Sequence, residues 1–306
     1  MADKTSGTGA KAALGHPPAW LVAAPMLFVL LWSTGFIGAR LTAPDAEPLS
    51  FLAWRFGIVT AVLALWSVIV RAPWLPAREA SHALIAGALM HGCYLGSVYW
   101  AVFNGMPAGV SALIIGLQPL MTAFIAAPVL GERVTTRHWL GLAVGIAGVA
   151  LVVWPKLTFT ASGITPVTVL ISMFGTLCFA AGSIYQKQFC AGHDMRTGNV
   201  FQFIGGTSVV LIGAWFMESF QIAWTTPVIF AMFWTVLVLS IGAITLLYMM
   251  IRLGDVSKVA GMFYLVPAVT AVIAWLWFGE TLLVIQMLGM AVCAAAVMLV
   301  MQRPAR

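Results

Sequence analysis

Two short segments, PVLGERVT at residues 128–135 and LWFGETLL at residues 276–283, decide the fold that this sequence predicts. Each segment ends a long apolar run and carries a glycine followed by a glutamate. An arginine comes directly after the first glutamate, Glu132, but not after the second, Glu280. The repeated pattern indicates two related halves, and the missing arginine indicates that the halves end in different surroundings.

The composition places most of the chain in lipid. Of its 306 residues, 62% are hydrophobic and only 8% are charged, whereas soluble domains carry about 25% charged residues. The net charge of +6 comes from basic residues that lie between apolar runs, so we expect no nucleic-acid binding. The four cysteines show neither disulfide nor metal-ligand spacing, and we expect no metal and no cofactor.

Ten apolar runs are long enough to be membrane helices, because about 20 apolar residues cross the hydrocarbon. Residues 1–18 are predicted to form a flexible tail. The predicted fold is therefore an all-α integral membrane protein. The ten predicted spans are 19–40, 49–71, 83–103, 108–130, 137–154, 166–188, 199–217, 227–250, 256–277 and 282–301.

The basic residues predict how these spans are oriented. If the N-terminus is cytoplasmic, the loops on the opposite side hold only Arg40 and Lys156, and Arg55 lies within the second span. The remaining twelve of the fifteen Lys and Arg residues then lie on the cytoplasmic side. Since cytoplasmic loops are enriched in Lys and Arg, we expect both termini in the cytoplasm.

The two halves, residues 19–154 and 166–302, align without a gap over their later parts at a shift of 148 residues. In their earlier parts the shift is about 147. Each half holds five spans, an odd number, so the second half enters the membrane from the opposite side. The halves are thus predicted to be inverted repeats around a central cavity, and the second Gly-Glu turn lies outside, where an arginine is disfavoured. Aligned residues include Pro119 with Pro267, Glu132 with Glu280, Leu140 with Leu288, and Arg55 with Gln202.

Several motifs resemble those of a known family. The segments LWSTGF at 31–36 and FLAWRF at 51–56, with the repeated prolines and Gly-Glu ends, are similar to the drug/metabolite transporter superfamily and its EamA-type ten-helix exporters. The LWST segment and the tyrosine in the third span also resemble the YddG-type exporters of aromatic and neutral amino acids. The resemblance implies a bacterial inner-membrane exporter of amino acids and related metabolites that works by alternating access.

Polar and aromatic residues within the spans are candidate substrate-binding residues, since polar groups in lipid usually face the bundle interior. In the third span, His91, Tyr94 and Tyr99 share one helical face. Beside it, Gly92 and Gly96 form a stripe suited to close helix packing. The resemblance places Trp32 and Ser33 near the cavity, and packing alone is the alternative for every candidate. The full set is Trp32, Ser33, His91, Tyr94, Tyr99, Gln118, Phe179 and Tyr264, with Tyr185 as a weaker candidate.

Two prolines and an arginine complete the predicted site. Pro119 and Pro267 are predicted to be kinks or hinges, because proline removes a backbone hydrogen bond. Arg55 lies about six residues, roughly 9 Å at helical rise, below the outer surface. We expect its side chain to snorkel to that surface, and contact with a substrate carboxylate is the alternative.

The acidic residues bear on the driving force. All nine fall in loops or at the ends of predicted spans, whereas ion-coupled carriers commonly hold a carboxylate deep in the membrane. We therefore expect facilitated transport, with proton coupling through His91 as the alternative. A multidrug or cation exporter is the alternative function. An enzyme is not predicted, because the spans hold no cluster of catalytic residues. The sequence leaves the oligomeric state open.

Overall fold

The computed structural model describes residues 19–118, 120–122, 125, 136–153, 164–247, 265–279 and 283–301. Within these ranges the chain is helical, and its one extended pairing is an isolated antiparallel bridge between Ala46 and Ile222. The predicted tail, the first Gly-Glu turn, Pro119 and Tyr264 lie outside the described residues.

The described residues form helices that we number in chain order. The third and eighth each continue through a π-helical segment. The helices of the described residues are α1 (Ala19–Thr42), α2 (Pro48–Ile69), α3 (Ala77–Phe103), α4 (Ala108–Ile115), α5 (Thr136–Val153), α6 (Pro166–Phe189), α7 (Met195–Met217), α8 (Thr226–Leu247), α9 (Leu265–Phe278) and α10 (Val284–Met301).

Five of these helices, namely α2, α3, α6, α7 and α8, are long and apolar enough to cross a membrane. Shorter apolar helices occur in α1, α4, α9 and α10. The prediction of an all-helical membrane protein is therefore confirmed for the described residues. The count of ten spans stays a prediction.

The helix starts follow from local sequence. Pro48, Pro166 and Pro227 lie in the first turns of α2, α6 and α8, where the N–H that proline lacks has no helical partner. Thr165 and Thr168 form a reciprocal capping box at the start of α6. These signals place the starts of α2, α6 and α8 directly after the loops that precede them.

The π-helical segments occupy equivalent places in the two halves. They run over Ala88–Cys93 in α3 and Trp234–Ala243 in α8, and the shift of 147 residues carries the first onto the second. A π segment inserts an extra residue per turn and frequently occurs at functional sites. Both segments contribute residues to the central cavity described below.

Close glycine contacts bring α3 against α7, as the glycine stripe predicted. A Cβ added to Gly92 would lie 2.6 Å from the Val209 side chain of α7, which is closer than real Cβ atoms approach. On the next turn, the corresponding contacts of Gly96 are with Leu49 and Val210. The stripe therefore joins α3 to α2 and α7, and the neighbouring face of α3, which carries His91 and Tyr94, lines the cavity.

Helices α5 and α10 pack in opposite directions at a point of near-symmetry between the halves. Gly145 faces Ala296, and Gly148 faces Cys293 so closely that a Cβ on Gly148 would lie 2.6 Å from the cysteine sulfur. Cys293 and Gly145 are 148 residues apart and lie 3.6 Å from each other, measured from Sγ to the carbonyl oxygen. A shift of 148 residues carries Gly145 onto Cys293 and Gly148 onto Ala296. The contact of Gly145 with Ala296 is therefore equivalent to the contact of Gly148 with Cys293.

One end of the bundle, formed by residues 43–47 and 218–225, is joined by half-buried carboxylates, and we name it the carboxylate end. Glu218 accepts hydrogen bonds from the backbone N–H of Leu49 at 2.8 Å and of Ser50 at 2.7 Å. The Ser50 hydroxyl also donates to it at 2.7 Å. These bonds satisfy the N–H groups at the start of α2 that have no helical partner.

Further bonds connect the two loops of the carboxylate end. Glu47 accepts from the backbone N–H of Gln221 at 2.7 Å and of Ser219 at 3.0 Å. Asp45 accepts from the Thr225 hydroxyl at 2.8 Å. The first and second halves are therefore linked at this end by three carboxylates.

The other end of the α2–α7 pair, formed by residues 70–76 and 190–194, is named the histidine end. His82 Nδ1 and the Tyr185 hydroxyl share a hydrogen bond of 2.7 Å between α3 and α6. The Thr197 hydroxyl donates to a carbonyl oxygen of the 70–76 loop at 2.8 Å. Since α2 starts where α7 ends and ends where α7 starts, the two helices are antiparallel.

Candidate functional site

A central cavity lies between α1, α2, α3, α6 and α8. Its volume is about 60 Å³, which is small for a ligand pocket. Helices α1 and α3 of the first half and their equivalents α6 and α8 of the second half all line it. Four of the predicted site residues line this cavity, namely Trp32, His91, Tyr94 and Phe179. Arg55 lines it as well.

Aromatic rings form one wall of the cavity. The ring of Phe179 stacks on Tyr94 with 4.5 Å between centroids and an interplanar angle of 15°. It also stacks on Trp32 at 6.1 Å and 26°. Such faces bind apolar and aromatic groups, and they attract cations through their π-electrons. The wall joins the two halves, because Phe179 belongs to α6.

The Arg55 side chain is buried at the cavity, with 4% of its surface exposed. Its Nε and Nη2 donate to the Ser240 hydroxyl at 3.2 and 3.0 Å, and its Nη1 donates to the Tyr99 hydroxyl at 3.3 Å. The prediction that Arg55 snorkels to the surface is therefore wrong. Hydroxyl acceptors from α3 and α8 hold the guanidinium inside the bundle. The sequence of α2 alone does not indicate these acceptors.

No carboxylate among the described residues forms an ion pair with Arg55. Among the described residues, Asp194 and Arg196 form an ion pair at the histidine end, where the Glu79 carboxylate also lies 3.9 Å from His193 Nε2. A buried charge is costly unless it is paired and hydrogen-bonded. The cavity therefore presents a positive charge to whatever enters it.

His91 is the second polar group of the cavity. Only 5% of its surface is exposed, and its ring stacks on Phe203 at 4.4 Å and 5°. Its Nε2 has no hydrogen-bond partner among the described residues. Buried polar atoms usually have a partner, so His91 offers an unused hydrogen-bonding atom beside the cavity.

The other predicted site residues lie elsewhere in the described structure. Tyr99 is buried behind Arg55. The Ser33 hydroxyl donates to the Val29 carbonyl at 2.7 Å, and Gln118 Nε2 donates to the Thr122 hydroxyl at 2.9 Å. None of these three side chains lines the central cavity.

Pro267 lies within α9, away from the central cavity. It lines a second cavity of about 440 Å³ between α4, α9 and α10, whose described walls are almost wholly apolar. Its ring also lies 3.0 Å from where a Cβ of Gly116 would be. Tyr185 shares its hydrogen bond with His82 at the histidine end. The hinge role of both prolines stays a prediction.

The sequence left Arg55 open between a snorkelling side chain and a contact with a substrate carboxylate, and it did not predict Ser240. An arginine inside an apolar span was a usable signal for Arg55, because buried charges in membranes usually mark function. Ser240 carries no such signal, since serine is common in membrane helices. Its role follows only from the approach of α8 to α2.

The sequence of both halves matches a known protein family. A model described as the EamA-like transporter family matches residues 19–154 and matches again over residues 166–302. This chain belongs to the EamA-like transporter family. The EamA-like chain is thus a multi-pass membrane protein built from two matching repeats.

Curated relatives of the EamA-like chain are transporters by name, at low identity. An "Uncharacterized transporter YvbV" of Bacillus subtilis (strain 168) is 26% identical over 89% of this chain and 88% of the relative. A "Probable terminal-alkyne amino-acid exporter" of Streptantibioticus cattleyicolor is 27% identical over 91% and 92% of the two chains. An "Uncharacterized inner membrane transporter YedA" of Escherichia coli (strain K12) is 24% identical over 89% and 87%.

A solved crystal structure shares the fold of the EamA-like chain. The two superpose with a TM-score of 0.63 at 18% sequence identity. The match covers 94% of this chain and 100% of the other. It supports the architecture of the helices and carries no information on substrate.

Proposed function

We propose that this EamA-like transporter exports neutral and aromatic amino acids and related small metabolites across the bacterial inner membrane by alternating access. The observation that carries the proposal is the central cavity, which both halves enclose with aromatic rings and a buried arginine. A relative named as an amino-acid exporter and another named as an inner-membrane transporter support it.

Within this proposal, residues 19–154 and 166–302 are five-helix inverted repeats. Two features support the inversion, namely the antiparallel α5–α10 contact and the antiparallel α2–α7 pair. The π segments at equivalent positions support the repeat itself. Two pseudo-equivalent halves that point in opposite directions can exchange their conformations, and the exchange opens a central site to one side and then the other.

The two ends of the bundle are the gates of this mechanism. Both termini are proposed to be cytoplasmic, as the distribution of basic residues indicates, so the carboxylate end faces the periplasm and the histidine end faces the cytoplasm. Export then requires the bonds of Asp45, Glu47 and Glu218 to break in each cycle. A face held by hydrogen bonds between loops can open without unfolding any helix.

Transport is proposed to be facilitative. The described lining of the central cavity includes no carboxylate that could carry a proton or a sodium ion. His91 is the titratable alternative, because its buried Nε2 lies next to the cavity. An imposed pH gradient that accelerates uptake would favour that alternative.

The multidrug or cation exporter is the less favoured function. Arg55 is the permanently charged residue in the described lining, and its positive charge repels cationic substrates. The small cavity also disfavours large drugs in this conformation. A carrier of small anions or zwitterions fits both features.

The test is transport by the purified full-length protein in liposomes. We expect labelled phenylalanine, methionine or threonine to exchange across the membrane, without an ion gradient, faster than in protein-free vesicles. Rates equal to those of protein-free vesicles for all three amino acids would contradict the proposal.

Two variants on the same helix localise the site in that assay. Phe179→Ala removes the stacked ring of the cavity wall, and we expect about a tenfold loss of phenylalanine transport. Phe174→Ala is the matched control, because the Phe174 side chain is 54% exposed on the outside of α6. If Phe179→Ala fails to fold, Phe179→Leu keeps an apolar side chain of intermediate size and removes the ring. Equal rates for the two positions would remove the wall from the site.

A further inference from the structure

We infer that Arg55 is the recognition site for the substrate's carboxylate, and that the protein therefore selects small apolar or aromatic monocarboxylates whether or not they carry an amino group. The inference rests on the proposed transport function and extends it to a substrate class. It follows from the hydrogen bonds of Arg55, from the charges around the cavity and from the nature of its walls.

The guanidinium of Arg55 is held in place and only partly used. Its bonds to Tyr99 and Ser240 occupy three of its five N–H donors. One N–H on Nη1 and one on Nη2 have no acceptor among the described residues. A planar fork with two free donors matches the two oxygens of a carboxylate.

The charge of Arg55 requires a counterion that the described part of the chain does not supply. Arginine stays protonated in proteins, and 96% of the Arg55 surface is removed from solvent, since 4% remains exposed. The equivalent position in the second half is Gln202, so the repeat contributes one such charge to the centre and not two. An anionic ligand would compensate that charge when it enters.

The rest of the described lining has no anionic counterpart for an ammonium group. The described lining contains no carboxylate, and an ammonium near Arg55 meets a like charge. Within the described lining, an ammonium could approach the faces of Trp32, Tyr94 and Phe179 or the neutral Nε2 of His91. Either contact is weaker than a paired carboxylate–guanidinium contact. The same rings would hold the apolar part of a ligand. The carboxylate is thus essential for recognition, and the amino group is dispensable.

The experiment compares four ligands that differ only in these groups. L-phenylalanine has both groups, 3-phenylpropionate lacks the amino group, L-phenylalaninamide lacks the carboxylate, and 2-phenylethylamine retains only the amine. Binding to the purified full-length protein is measured by titration calorimetry. We expect the two carboxylates to bind within about tenfold of each other and the other two at least about 30-fold more weakly. Equal binding of phenylalanine and its amide would overturn the inference.

Variants then assign the effect to Arg55. In Arg55→Gln the preference for a carboxylate should vanish, and Arg55→Lys should retain part of it because the charge remains without the fork. Arg40→Gln is the control, since it removes a positive charge at the end of α1, outside the cavity lining. A folded Arg55→Gln protein that still prefers carboxylates would overturn the inference. If that variant does not fold, Arg55→Lys and the wild-type ligand series decide.

The result separates this inference from the proposed function. If the carboxylates bind as expected but phenylalanine does not cross liposomes, the transport proposal fails and the carboxylate site stands. If phenylalanine and its amide cross equally fast, transport stands and the carboxylate site fails.

Discussion

The carboxylate end and the histidine end occupy equivalent places in the two repeats, yet different chemistry holds them. At the carboxylate end, Glu47 reaches across to the backbone of the other half. The residue that aligns with it at a shift of 147 is Asp194, which accepts hydrogen bonds from the backbone and side chain of Arg196, two residues away. The first carboxylate therefore joins two halves, and the second caps one helix.

The difference lies in geometry as well as in residue type. Both side chains stand at the N-terminus of a long helix, α2 or α7, where a carboxylate is favoured by unpaired N–H groups. Glu47 has one methylene more than Asp194 and faces the loop after α7. This comparison teaches that a repeated helix start can join the two halves on one side and cap a single helix on the other. It also predicts that the carboxylate end is the more firmly closed in this conformation.

Replacing Glu218 with alanine tests that prediction with the largest expected effect. The change removes three hydrogen bonds to a charged acceptor and leaves the N–H groups of Leu49 and Ser50 without partners. We expect local opening of the carboxylate end to become easier by about 2 kcal/mol. Amide hydrogen exchange of residues 45–52 and 218–225 should then accelerate by about 30-fold.

The controls for Glu218→Ala use both ends. Glu218→Gln keeps one acceptor oxygen and should give an intermediate acceleration. Glu79→Ala removes a carboxylate at the histidine end and should leave exchange at the carboxylate end unchanged. Similar acceleration by Glu79→Ala and Glu218→Ala would show that the two ends are not distinct.

Tyr185→Phe tests the histidine end with a smaller effect. It removes the one hydroxyl that bonds His82 and leaves the stacking of His82 on Phe189 in place, where the centroids are 4.8 Å apart. A neutral hydrogen bond contributes about 1 kcal/mol, so exchange near residues 185–194 should accelerate by about fivefold. The carboxylate end should not respond. A larger response there than at the histidine end would reverse the comparison.

The smallest effect is expected for Asp194. The hydrogen bonds from Arg196 lower the pKa of the Asp194 carboxyl to about 2. Because the ordinary pKa is about 3.9, the charged form stabilises the fold above about pH 4, and this contribution is lost as the pH falls through about 2. The site is at the surface, so we expect Asp194→Asn to lower Tm by less than about 2 °C at pH 6.

Thermal unfolding at several pH values checks this expectation. The difference in Tm between the wild type and Asp194→Asn should be largest above pH 4 and should shrink towards pH 2. A loss of exchange protection across the histidine end, rather than a small change in Tm, would give Asp194 the joining role of Glu47.

The sequence predicted much of the candidate site because its signals are local. The apolar runs predicted the helices, and mid-span His91 and Tyr94 predicted two of the cavity residues. Trp32 came from the family resemblance. The glycine stripe of α3 predicted which face packs closely on a neighbouring helix, since a missing side chain permits close approach whatever the partner. Pro119 and Tyr264 lie outside the described residues and remain predictions.

The sequence by itself determined a membrane protein made of two matching halves, because hydropathy and a repeat at a fixed shift are properties of the amino-acid sequence alone. What only the tertiary structure decided is the fate of its buried charge. Arg55 is kept inside by hydroxyls from Tyr99 and Ser240, which lie 44 and 185 residues away in the chain. A charge stays in an apolar bundle only where folding brings hydrogen-bond acceptors to it, and those acceptors are set by helix packing rather than by the residues next to it in sequence.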